Sequence, residues 1–299
     1  MKISQAFANY RKYEVAAMGY SDRTYQVYIN AEKAVIKSLG DIEVEDITID
    51  TIHEFYLDSA QVRSRNTTRS YVSKLKCVIR FCNIRGLKTI NPEEIKMPRL
   101  EKKVARFITV EEFNRFLREI ARPRHGYKRI DRVRNVLITE ILFSTGLRIS
   151  ELCALNRDSI RDRQFEIVGK SKEPRPGFIT KHIEKMIEEY LSMRTDSNRA
   201  LFVNDVDKTR LSTRSVQRIF RRASLQSGVH SVTPHTLRHS YATLLVEDGV
   251  DIRFVAELLG HQNLATTQKY THMRNHTLRN IYEKTVGNMV DNKIAPVAA

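Results

Sequence analysis

Apolar positions in the first hundred residues recur at helical spacing in four blocks, which predicts helices over about 3–18, 22–39, 49–64 and 67–85. The last block shows the pattern most plainly. Tyr71, Leu75, Val78, Ile79 and Cys82 fall on one face, and basic residues fill the remainder. Ser21 and Asn66 stand where N-caps are needed, and Gly19, Gly40 and Gly86 where these helices should stop. The stretch 92–106 begins at Pro92, holds Pro98 and dense charge, and loses the periodicity. It is expected as a linker between a helical domain at 1–91 and a second domain at 107–299.

Helical spacing resumes after Thr109, a candidate N-cap followed by Glu111 and Glu112, and again over about 130–144. Gln164 to Lys172 alternates like a strand; Pro174, Pro176 and Gly177 follow, then Phe178 and Ile179, which predicts a small antiparallel hairpin. Further helices are expected at about 180–193, 213–226, 234–248, 251–259, 265–272 and 275–286, with a frayed tail after about 287. In the last of them Leu278, Ile281 and Tyr282 form a short apolar stripe, suited either to the chain's own core or to a neighbouring copy. The fold class is mainly α: an N-terminal four-helix domain, then a mixed, mostly helical domain holding a small antiparallel β-sheet.

Composition narrows the class. With 299 residues, 41% hydrophobic and 29% charged, the chain can bury two cores and is not a disordered polymer. No apolar run reaches the length of a membrane span, and Met1-Lys2-Ile3-Ser4-Gln5 does not open a signal peptide. Cys77, Cys82 and Cys153 form no CxxC pair, so a reducing, cytoplasmic setting is expected, with no membrane partner.

Charge adds a partner. Lys and Arg total 51 against 35 acidic residues, a net of +16, which predicts attraction to a polyanion, most simply nucleic acid. The excess is also segregated. Seven acidic residues and no Lys or Arg lie between Asp41 and Asp58, whereas 59–92 has no acidic residue but holds Arg63, Arg65, Arg69, Lys74, Lys76, Arg80, Arg85 and Lys88. The helix after Ser212 carries Arg214, Arg218, Arg221 and Arg222. Both domains would then grip a duplex mainly through its phosphates.

Four local signals carry chemistry. In Ser144-Thr145-Gly146-Leu147-Arg148, Gly146 breaks one helix and Arg148 begins the next, a placement that suits an arginine fork on a phosphate. In Thr233-Pro234-His235-Thr236-Leu237-Arg238-His239, a strong helix start sets His235 and Arg238 three residues apart near the positive end of the helix dipole. His235 and His239 also have metal-ligand spacing, but no acidic or Cys ligand stands nearby in sequence. Leu258-Leu259-Gly260-His261 ends a helix on Gly260 and leaves His261 in a tight turn. Tyr270 follows nine residues on, and by itself a tyrosine says little.

Taken in order, Arg148, a basic hairpin at Lys170, His235-x-x-Arg238, His261 and Tyr270 resemble the tyrosine recombinase/integrase family. The stretch 233–279 is most similar to the bacterial Xer-type site-specific recombinases, through Leu258-Leu259-Gly260-His261 and Thr266-Thr267-Gln268-Lys269-Tyr270-Thr271-His272. The catalytic likeness covers about 106–286, and four N-terminal helices are consistent with the family's core-binding domain.

The resemblance implies Arg148 and Arg238 on the scissile phosphate, Lys170 as general acid, Tyr270 as nucleophile, His235 as base or donor, and His261 bonded to a phosphate oxygen. The hairpin Lys170-Ser171-Lys172-Glu173-Pro174-Arg175-Pro176 is shorter than the common family pattern, and Lys170, directly after Gly169, is preferred to Lys172. Arginine, histidine and lysine donors stabilise a phosphoryl transition state without metal, and no Asp/Glu cluster suited to Mg²⁺ accompanies the motifs, so no metal, ATP or other cofactor is expected. The implied course is a 3′-phosphotyrosyl intermediate, strand exchange through a Holliday junction, and a tetramer on two duplexes held partly by the C-terminal helix. A second recombinase or an accessory protein is a further possible partner. Two other readings belong to different classes: a topoisomerase IB-like enzyme that nicks and reseals one strand, and a non-catalytic DNA-binding architectural protein.

Overall fold

The computed structural model describes residues 1–101, 106–168, 174–260, 279 and 281–287. The chain divides into two compact units, Met1–Val104 and Ala105–Ala299.

The first unit holds α1 (Ile3–Tyr10), continued by a π-type turn (Arg11–Ala16), then α2 (Asp22–Leu39), α3 (Ile49–Val62) and α4 (Arg65–Ile84). Gly19, Gly40 and Gly86 all take positive φ, which lets the chain leave each helix in a conformation that a Cβ would penalise. Ser21 caps α2 by accepting from the Thr24 N–H. For α4 the cap is Ser64, not Asn66. Asn66 lies inside the first turn, where its amide exchanges hydrogen bonds of 3.0 Å with the backbone N–H and C=O of Glu101. Val72, Leu75, Val78, Ile79 and Cys82 of α4 are at most 1% exposed and share a core with Phe7, Val35 and Phe55. Each such side chain contributes about 1.5–3 kcal/mol.

The described part of the 92–106 stretch is packed chain. A 3₁₀ turn at Pro92–Glu94 puts Ile95 in the first unit's core, Tyr56 donates its hydroxyl to the Lys96 carbonyl, and Arg69 donates to that of Pro98.

The second unit is built on α6 (Arg129–Thr145), in which every residue from Val133 to Thr145 is buried, as expected of a helix enclosed on all sides. Against it pack α5 (Val110–Ala121), α8 (Lys181–Ser192) and α10 (Pro234–Glu247). Thr109 caps α5 in a reciprocal pair with Glu112. Next, α9 (Thr213–Gln226) packs on α5, and α11 (Ile252–Leu259) lies against α10 and the second strand. A short α7 (Ile149–Ala154) follows α6 directly.

The sheet has two antiparallel strands, β1 (Gln164–Val168) and β2 (Pro174–Phe178), with Val168 opposite Pro174 and Gln164 opposite Phe178. Two prolines therefore lie within a strand rather than before one. Pro174 and Pro176 are two apart, so both missing N–H groups fall on the open edge, where no ladder bond is lost. Gly177 is required by packing, since a Cβ there would come within 2.5 Å of the Phe165 ring. Of the C-terminal apolar stripe, Tyr282 is buried in the second unit's core and meets Phe178. Leu278, the expected helix at 265–272 and the tail after 287 lie outside the described residues. No helix among the described residues is long and apolar enough to cross a membrane.

Candidate active site

Chain turns, not proximity in sequence, build the site. α6 ends on Gly146, whose φ of +62° is left-handed. A Cβ on Gly146 would fall 2.5 Å from Cδ1 of Tyr241 and 2.8 Å from a methyl of Leu259, so glycine is needed for both conformation and space. The turn drives Leu147 into the core and sets Arg148 as the N-cap residue of α7. Glu151, one turn on, accepts from the Arg148 backbone N–H at 2.8 Å and from its Nη1 at 2.7 Å.

Thr233 and Pro234 start α10 as the sequence predicts. His235 is exposed on its first turn, whereas Arg238, one turn later, is drawn inside and only 8% exposed. Arg238 donates through Nη1 to the Gly146 carbonyl at 2.6 Å and through Nη2 to that of Leu259.

A third guanidinium completes the group. Arg175, on β2, meets both carboxylate oxygens of Glu151, at 3.1 and 2.9 Å, and donates from Nε to the Leu258 carbonyl at 3.0 Å. Arg148 reaches the Gly260 carbonyl at 3.2 Å. Three successive carbonyls at the end of α11, those of residues 258, 259 and 260, thus each receive a different arginine. The last carbonyls of a helix lack intrahelical partners and carry the negative end of its dipole, so they gather like charges that would otherwise repel. Gly260 closes the helix with φ +64°, and a Cβ on it would press to 3.0 Å from the Arg175 side chain.

Three guanidinium groups against one carboxylate leave a surplus of two positive charges, which suits an anion. Burial, together with the neighbouring Arg148 and Arg175, lowers the Arg238 pKa to about 10, and it stays protonated at neutral pH. Burial acts to raise the Glu151 pKa, but hydrogen bonds from Arg175 and Arg148 outweigh it and hold the carboxyl below its ordinary value. Tyr241, fully buried beside Gly146, has its phenol pKa pushed up by burial.

Of the six residues predicted for the site, Arg148, His235 and Arg238 are described, and Arg148 and Arg238 converge on the end of α11. Lys170, its neighbour Lys172, His261 and Tyr270 lie outside the described residues. Glu151 and Arg175 were not among the predicted residues. The signal for Glu151 was present, an acid three residues after a helix-start arginine, but Arg175 sits between two prolines and looks like turn sequence.

Gly146 gives a direct stability test. Gly146→Ala should lower the free energy of unfolding by about 2–5 kcal/mol, because the left-handed backbone and the Tyr241 clash act together. Denaturant unfolding measures it, and a midpoint equal to the parent's would mean that the Tyr241 contact does not constrain the turn.

A guanidinium cage with surplus positive charge at a helix end, on a fold that is mainly α with one hairpin among the described residues, suits a protein that works on an anion such as a phosphodiester. The comparisons identify it. Residues 106–276 match the phage integrase family. Over 197 residues the chain is 41% identical to tyrosine recombinase XerA of Thermococcus kodakarensis, covering 64% of this chain and 67% of that one. It is 36% identical over 249 residues to tyrosine recombinase XerC of Chlamydia trachomatis, covering 80% and 77%. Its fold is similar to that of a lambda integrase tetramer bound to a Holliday junction, with TM-score 0.74, 20% identity, and coverage of 89% and 79%. The chain belongs to the phage integrase family and is a tyrosine-type site-specific DNA recombinase.

Proposed function

We propose that this recombinase cuts and rejoins double-stranded DNA with Tyr270 as nucleophile, forming a 3′-phosphotyrosyl bond, and that four copies exchange strands between two duplexes through a Holliday junction. The observation that carries the assignment of roles is the meeting of Arg148 and Arg238 at carbonyls 259 and 260, the two residues before His261. Arg148 and Arg238 hold the non-bridging oxygens of the scissile phosphate, and His261, next in sequence after Gly260, adds a donor. His235, exposed at the positive end of α10, serves as base or donor. Lys170, which falls between β1 and β2 in sequence, delivers the proton that the leaving 5′-oxygen needs.

The covalent bond conserves the phosphodiester's energy, so a 5′-hydroxyl from another strand reseals the break without ATP. The donors at the phosphate are the chain's own cations, and no metal enters the scheme. Two basic surfaces supply grip, one in each unit. In the first, Arg69, Ser70, Ser73, Lys74, Lys76 and Arg80 of α4 line a groove of about 480 Å³. In the second, Arg214, Arg218, Arg221 and Arg222 are all exposed on α9. The reaction belongs in the cytoplasm, on DNA, with self-association on the paired sites.

A nicked suicide duplex carrying the chain's own site, selected from random DNA, tests the proposal in EDTA. The parent should trap as a covalent adduct. Lys170→Ala should fail on the phosphodiester and recover on a 5′-phosphorothiolate, whose leaving group needs no proton, whereas Lys172→Ala should show no such selective recovery. Recovery confined to Lys172→Ala would transfer the general acid to Lys172, and no adduct from the parent would remove the covalent mechanism.

A further inference from the structure

We infer that Arg175 is a positioning residue of this reaction: it supplies the counter-charge for Glu151, so that Arg148 keeps its own charge for the phosphate, and it ties that clamp to the strand leaving the Lys170 hairpin. The inference rests on the roles proposed above for Arg148 and Lys170.

Glu151 faces two arginines with different exposures. Its side chain is 7% exposed, that of Arg175 10%, and that of Arg148 37%. Arg175 is therefore the enclosed partner, fixed on both carboxylate oxygens, while Arg148 makes one side-chain contact with the carboxylate and leaves part of its fork open to solvent. A bidentate guanidinium–carboxylate pair is the strong, directional form of this contact. With Arg175 in place, the carboxylate is neutralised from within. Without it, the buried anion has Arg148 as its sole guanidinium, and a cation committed to a carboxylate gives less stabilisation to charge developing on a phosphate.

The same side chain reaches two further parts of the site. Its Nε holds the Leu258 carbonyl, and its Cδ lies 3.0 Å from where a Cβ on Gly260 would be, so it packs against the end of α11 at Gly260, the residue before His261 in sequence. It also stands on the second residue of β2, five residues after Lys170. A shift of the hairpin strand is thereby transmitted to Glu151, Arg148 and the end of α11 together.

Charge-removal rescue separates this role from simple support of the fold. Adduct formation on the suicide duplex is measured for the parent, R175K, R175Q and R175Q/E151Q, with unfolding midpoints and DNA binding recorded for each. R175Q should slow adduct formation about 100-fold, the scale of a misplaced reacting group, with little change in binding. R175K, which keeps the charge but not the fork, should lose less. R175Q/E151Q has no carboxylate left to neutralise, so it should fold and return to within about tenfold of the parent. That recovery is expected even if R175Q itself fails to fold around an unpaired buried carboxylate.

A folded double variant as slow as R175Q, or slower, overturns the inference, because a purely structural arginine is not rescued by removing its partner as well. An R175Q that cleaves like the parent overturns it too. A parent that gives no adduct sinks the recombination chemistry first and this inference with it, whereas an active parent with an unaffected R175Q sinks this inference alone.

Discussion

Tyr270→Phe is expected to abolish the covalent protein–DNA adduct while leaving DNA binding within about threefold of the parent. Phenylalanine keeps the ring and removes only the attacking oxygen, so the phosphate contacts that dominate affinity should survive. Loss of a nucleophile that acts as part of a set costs more than about 10⁴-fold, which places adduct formation below detection. A substitute phenol has to be near the guanidinium cage and able to ionise. Tyr241 satisfies only the first condition. It lies three residues from Arg238 on α10, but it is 1% exposed, packed on Gly146, and burial raises its pKa above the ordinary phenol value. A trapped adduct from the Phe variant would move the nucleophile away from Tyr270, and mapping the modified peptide would locate it.

What could be seen in the sequence was what depends on nearest neighbours along the chain. The four N-terminal helices show amphipathic spacing, and the ends of three of them are marked by glycines that prove to take positive φ. The starts of α5 and α10 were visible for the same reason, since Thr109 and Thr233 cap within three residues of themselves. Asn66 was misplaced as a cap because Ser64, two residues earlier, is equally suitable by type. What distinguishes them is a pairing with Glu101, thirty-five residues away. The hairpin was legible, but the extent of β2 back to Pro174 was hidden by its prolines, which are acceptable only because a two-stranded sheet leaves an open edge, and that is a property of the assembled hairpin.

The site divides along the same line. Arg148 and Arg238 could be proposed because each sits beside a local landmark, a glycine turn or a helix start. That both would donate to the end of α11 could not be read locally, since the Arg148–Gly260 contact spans 112 residues and the Arg238–Leu259 contact spans 21. Arg175 was missed because its function lies in partners on α7 and α11. A carbonyl has no sequence signature, so a cage assembled on three carbonyls is visible only in the fold.

Arg238→Ala should reduce adduct formation at saturating DNA by about 10²–10³-fold, the loss seen when one preorganised donor to a developing oxyanion is removed. The change belongs in the chemical step. Arg238 is 8% exposed and already fixed by the Gly146 and Leu259 carbonyls, so in the role proposed for it the guanidinium would meet the phosphate without being reordered, and its stabilisation would grow as charge accumulates there. The same substitution leaves two buried carbonyls without their guanidinium donor, which should lower stability by about 1–3 kcal/mol. Arg238→Lys separates the two effects. An ammonium keeps a positive charge but cannot span both carbonyls and a phosphate as a planar fork does, so the lysine variant should recover stability more fully than cleavage. Measuring adduct rate at saturating DNA beside the unfolding midpoint decides it. If Arg238→Ala cleaves at the parent's rate once DNA is saturating, the guanidinium acts in binding or folding alone, and the electrostatic role assigned to it is wrong.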